Sequence, residues 1–239
     1  MRLFDQCADH KALLGYVMAG DQQAAKTIIK RSPDLLVKKG SGKEPHNDRF
    51  FKDITAFQYA LWSLDWHMWQ MMSRFMSRQT VYQQIHDFKE RGTDHGLHAD
   101  VSGLIAAYKQ YINQYWHWTT KQKEQFWTQK VGGLQKYLPM HALQEMTRED
   151  RPMCSHPSFK ESEFPRMTLA QLGDIVWGLG SRHALVRSEF NESMVFESPD
   201  AAVVKNDCDG IASLFRMRQC QFITLAYEVQ SAHRLAFST

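Results

Sequence analysis

Thr55-Ala56-Phe57-Gln58-Tyr59-Ala60-Leu61, followed after Leu64-Asp65 by Met68, Trp69, Met71 and Met72, is the stretch on which the fold turns. Threonine before a run free of proline and glycine is a helix start, because its hydroxyl accepts a first-turn N–H. Asp65 offers a second cap, and the apolar residues behind it recur at helical spacing. The stretch reads as a helix, a tight turn at Leu64-Asp65 and a second, antiparallel helix.

Upstream, the plan is already present. Leu13, Leu14 and Val17 make one apolar face, Gly20-Asp21 breaks it, and Ala24, Ala25, Ile28 and Ile29 make another. The glycine can take a positive φ and the aspartate can cap the next helix. Ser32-Pro33-Asp34 then ends that helix, since proline disfavours helix in the residue before it. Residues 10 to 78 are therefore expected to form two stacked helical hairpins.

Thr55 to Ala60 resembles the Thr-Pro-Leu-His-x-Ala opening of an ankyrin repeat, and Ala19-Gly20-Asp21 resembles the turn between the helices of such a repeat. The spacing departs from the family. Gly20 to Leu64 is 44 positions, against an ankyrin period of about 33. The surplus lies between Val37 and Ile54, where an ankyrin repeat holds its projecting finger, so the resemblance implies an enlarged finger. Two unrelated helical hairpins are the alternative.

Downstream, Val101, Leu104, Ile105, Tyr108, Tyr111, Ile112, Tyr115 and Trp116 follow the i, i+3, i+4, i+7 pattern of an amphipathic helix. Phe126, Trp127, Val131 and Leu134 suggest another, interrupted at Gly132-Gly133. Pro139 suits a helix start ahead of Leu143 and Met146. Pro152, Pro157 and Pro165 divide a long loop over residues 147 to 166. Thr168 to Trp177 reads as a helix, 184–186 and 194–196 as short strands or buried loops, and Ile211 to Val229 as a long terminal helix. The fold class is mostly α: an ankyrin-like region over 1–92, then a helical C-terminal region over 93–239 containing the long proline-bearing loop.

Composition narrows the functional classes. With Lys plus Arg at 29 and Asp plus Glu at 26, and no run of one sign, a nucleic-acid partner is not expected. No apolar h-region follows Met1 and no apolar run approaches a membrane span, so neither a cleaved signal peptide nor a span is expected. Cys7, Cys154, Cys208 and Cys220 are dispersed, which fits thiols in a reducing compartment such as the cytoplasm. The many aromatics can fill the core or form a recognition surface.

Chemical motifs are sparse. Asp94-His95-Gly96-Leu97-His98-Ala99-Asp100 collects metal-type ligands, but its glycine argues for a loop, with Asp100 capping the helix behind it. No metal or other cofactor is expected. Cys154-Ser155-His156 lacks the context a nucleophilic cysteine needs. Gly178-Leu179-Gly180-Ser181 has no third glycine and follows a helical run.

The expected activity is protein binding. Ankyrin-like proteins bind through fingers and an inner helical face, so the resemblance points to Arg49, Phe50 and Phe51 in the finger, then to Trp62 and Trp66. The alternative cover for these side chains is the protein's own C-terminal helices. Arg148, Asp150, Arg151, Pro157, Phe159, Pro165 and Arg166 resemble a segment that follows the ankyrin-like part of effector proteins of intracellular bacteria. That resemblance implies a host protein as partner and translocation into a host cell without a cleaved signal. An effector enzyme is the second reading, with Arg148, Asp150, Arg151, His183 and Arg187 as suspects.

Overall fold

The computed structural model describes residues 2–148, 153, 159–162, 164, 166 and 199–236. They are mostly helical. Two compact units divide at Ala99/Asp100, and the described parts of Ser162–Thr168 and Met217–Thr239 belong to the first. The sequence-based boundary at 92/93 lies inside that first unit.

The first unit opens with α1 (Arg2–Met18) and α2 (Gln22–Arg31), then a 3-10 turn (Pro33–Val37). A β-hairpin follows, made of β1 (Gly40–Lys43) and β2 (Phe50–Ile54), then α3 (Ala56–Trp62), α4 (Trp66–Ser73) and α5 (Arg78–Arg91). Helix α1 packs on α2 and on α3, and α2 packs on α4. The two helical hairpins thus stack side by side.

Their turns share one geometry. Gly20 and Leu64 both have left-handed backbone, with φ 69° and 61°. The next residue donates its N–H five residues back, Asp21 to Tyr16 at 2.8 Å and Asp65 to Ala60 at 3.0 Å. Each aspartate then caps the following helix, accepting from Ala24 N–H at 2.9 Å and from Met68 N–H at 3.1 Å. Thr55 caps α3 in a reciprocal box with Gln58.

Helix α5 has no counterpart in the sequence-based expectations. Val81, Ile85 and Phe88 face the core, and Gln84 is buried among them. Gln84 is also the polar tie of the unit. Its amide donates to the Leu36 carbonyl at 3.0 Å and accepts from the Thr55 hydroxyl at 2.5 Å. Phe222, on the terminal helix, packs edge-on against Trp69, Phe88 and His98.

The second unit begins with α6 (Ser102–Gln114), whose first-turn Ser102 N–H bonds Asp100 at 2.8 Å. Next come α7 (Thr120–Phe126), a π-helical stretch (Trp127–Val131), α8 (Gly132–Gln135) and α9 (Met140–Met146). The helix is not broken at Gly132-Gly133. It widens just before them, where the Gly132 N–H reaches the Trp127 carbonyl. Helix α10 (Ala201–Ala236) contributes its residues up to Arg216 to this unit and the rest to the first. The expected elements at 168–177, 184–186 and 194–196 lie outside the described residues.

Candidate functional site

The finger expected between Val37 and Ile54 is the β1–β2 hairpin, paired antiparallel with Lys43 opposite Phe50 and Gly42 opposite Phe51. It does not project freely. A Cβ on Gly40 would lie 2.7 Å from the His10 ring, and one on Gly42 would lie 3.0 Å from Met18 Sδ. Two glycines therefore let β1 lie directly on α1, and His10 Nε2 bonds the Lys38 carbonyl at 3.0 Å.

The far end is anchored by Glu44, which is 1% exposed. The Tyr59 hydroxyl donates to Glu44 Oε1 at 2.6 Å, Asn47 Nδ2 donates to Oε2 at 2.7 Å, and Arg49 Nη1 donates to Oε2 at 3.2 Å. Burial, reinforced by the Glu44 charge, pushes the Tyr59 phenol well above its usual range, so it remains a donor. The Arg49 guanidinium lies 4.8 Å from the Trp62 ring centroid. Phe51 sits inside an aromatic box, edge-on to Tyr59, Trp62 and His95.

Arg49, Phe51 and Trp62, proposed from sequence as surface contacts, are thus brought together, but inward. Phe51 and Trp62 are each 1% exposed, which corrects their expected exposure. The period-2 alternation of a strand explains it: Phe51 faces the core, and its neighbour Phe50 faces solvent at 45% exposure. The sequence suggested an exposed, projecting finger here. The signal missed was that Glu44, Asn47 and Arg49 flank a turn and can satisfy one another.

Trp66 belongs to a different cluster. It lies edge-on to His67, and the Arg218 guanidinium lies 5.3 Å from its ring centroid. Beside it, Arg166 joins the two helical turns. Arg166 donates to both carboxylate oxygens of Asp65, at 2.8 and 2.7 Å, and to the Gly20 carbonyl at 3.1 Å. Asp65 is thus both a helix cap and half of an ion pair whose side chains are under a tenth exposed.

His95 and His98 do not converge on a common point. His95 Nε2 bonds the Phe50 carbonyl at 2.8 Å, and His98 Nδ1 bonds the Leu61 carbonyl at 3.3 Å. Burial lowers the His98 pKa and so favours the neutral ring, an effect partly offset by the Leu61 bond. Among the described residues no group of three or more His, Cys, Asp or Glu is placed to hold a metal.

Residues 103–229, just over half of the chain, match the family described as the CBUA0006 C-terminal domain. The chain belongs to this CBUA0006 C-terminal domain family. An uncharacterized protein of Coxiella burnetii, CBUA0006, is 25% identical to it over 95% of this chain and 76% of that protein. No solved structure matches.

The CBUA0006 C-terminal domain region holds Arg148, which faces Glu145 at 3.5 Å and Glu161 at 3.7 Å, with 7% of its side chain exposed. Its charge is matched by carboxylates, as in a packed loop. Asp150, Arg151, His183, Arg187, Cys154, His156 and the 178–181 glycine pair lie outside the described residues. In the same region the Tyr111 hydroxyl donates to the Pro199 carbonyl at 2.9 Å, fixing the approach to α10. Among the described residues no helix is long and apolar enough to cross a membrane.

Proposed function

We propose that this chain is a protein-interaction module whose two stacked helical hairpins carry a rigid β-hairpin that engages another protein. One observation supports this best: Phe50 stands 45% exposed on a strand whose alternate residue, Phe51, is locked in an aromatic box. A large apolar anchor on a preordered mount loses little conformational entropy on binding. The shared geometry of the Gly20 and Leu64 turns supports an ankyrin-like reading, in which fingers make the contacts. The resemblance of the 148–166 segment to effectors of intracellular bacteria, together with the similarity to a Coxiella burnetii protein, supports a host protein as the partner. Translocation from the bacterial cytoplasm without a cleaved signal belongs to the same proposal.

Replacing Arg49, Phe50 and Phe51 together would not test this, because two of the three hold the hairpin. Phe50→Asp isolates the surface. Quantitative affinity capture from host-cell lysate, parent against variant, is expected to show a partner lost from the variant. The melting curve should be almost unmoved, since exposed substitutions shift stability by about 0.5 kcal/mol. Unchanged capture by Phe50→Asp would remove the hairpin from the proposal.

A further inference from the structure

The turn between α6 and α7 carries a surface that the protein-binding reading does not use. Trp116 is 82% exposed, the most exposed large apolar side chain among the described residues. It lies edge-on to Tyr115, with centroids 5.0 Å apart. Tyr115 and Trp118 both lean on Tyr111, which is buried. The turn is therefore anchored from within while its tip stands out.

The charged side chains that follow the tip in sequence are mostly lysines. Lys123 Nζ lies 3.7 Å from the Tyr115 ring centroid, and Lys121 is exposed on the same helical turn. From Ser102 to Lys136 the lysines are Lys109, Lys121, Lys123, Lys130 and Lys136, and the only acid is Glu124. That stretch carries more net positive charge than the whole chain, which totals +3.

Indole and phenol rings favour the headgroup level of a bilayer, and lysines can lay their stems on apolar rings while the ammonium stays in water. Clustered lysines are drawn to anionic lipid. The geometry points to peripheral docking of this turn on an anionic lipid surface. Trp116 enters the boundary between headgroups and acyl chains, and Lys121 and Lys123 meet the lipid phosphates and carboxylates. A protruding indole needs a matching pocket on a protein partner, whereas a bilayer accommodates it without one.

Flotation of the full chain with vesicles of phosphatidylcholine, with and without phosphatidylserine, tests the assignment. The chain should float with the anionic vesicles and stay behind with the neutral ones, and added salt should weaken flotation. Trp116→Ala should lower partitioning by about tenfold, and Lys121→Glu with Lys123→Glu by tenfold or more, with the circular dichroism of the parent retained in both. Absence of flotation with anionic vesicles overturns the proposal, as does equal flotation with both lipids or variants that float as the parent does. Retention on poly-glutamate without flotation also overturns it, in favour of an acidic protein.

Discussion

Leu64 shows how a turn of this geometry forms without a glycine. Its backbone matches that of Gly20, with φ 61° against 69°, and its side chain is fully buried. A left-handed conformation costs a non-glycine residue about 1–2 kcal/mol, while burying a leucine contributes about 1.5–3 kcal/mol. The two effects oppose each other and are similar in size, so leucine is tolerated. Leu64→Ala loses the burial and keeps the strain, and is expected to cost about 3 kcal/mol. Leu64→Gly loses the same burial but releases the strain, so its cost should be smaller by about 1 kcal/mol. Urea denaturation of both variants measures the difference, and a glycine variant no more stable than the alanine one would refute the account. The first turn was legible because Gly20-Asp21 signals it outright. The second was legible only through Asp65, and nothing in the sequence marks Leu64 as left-handed.

At the level of elements, helices were read more reliably than the hairpin, for a physical reason. Capping residues and i, i+4 faces are local signals, and Thr55, Asp21 and Asp65 do what their residue types suggest. Strands β1 and β2 are short, and Gly40-Ser41-Gly42 looks like a flexible linker. Its glycines instead serve close approach to α1, which no local pattern reveals. Helix α5 was missed because its apolar residues are few, and its buried Gln84 is polar. The hairpin contact gives a prediction. Gly40→Ala places a Cβ where the His10 ring lies 2.7 Å away, and should cost about 1–3 kcal/mol. Removing the obstacle should recover part of that loss, so Gly40→Ala combined with His10→Ala should cost less than the two single changes added together. Strict additivity in thermal melts would mean that the strand does not rest on His10.

For the molecule as a whole, the first compact unit is discontinuous in sequence, and this changes what a fragment can do. The sequence suggested an ankyrin-like region over 1–92. In the structure, Asp65 is paired with Arg166, and Trp69, Phe88 and His98 are packed against Phe222. Neither partner could be assigned from the chain alone, because both lie more than a hundred residues away and pair by position in space. A fragment of residues 1–99 therefore loses its long-range cover. Asp65, 4% exposed in the full chain, loses its cation, and removing one partner of a buried pair costs about 3–5 kcal/mol. Losing Phe222 also exposes aromatic surface, a cost of about 2 kcal/mol or more. Together these approach the whole stability of a small domain, about 5–15 kcal/mol. The fragment is expected to lack a cooperative thermal transition, or to melt far below the full chain. Arg166→Met in the full chain removes the Asp65 pair and the bond to the Gly20 carbonyl but keeps Phe222, and should keep a cooperative but weakened transition. A fragment melting as the full chain does would show that the two helical hairpins stand by themselves, and that Arg166 and Phe222 only decorate them.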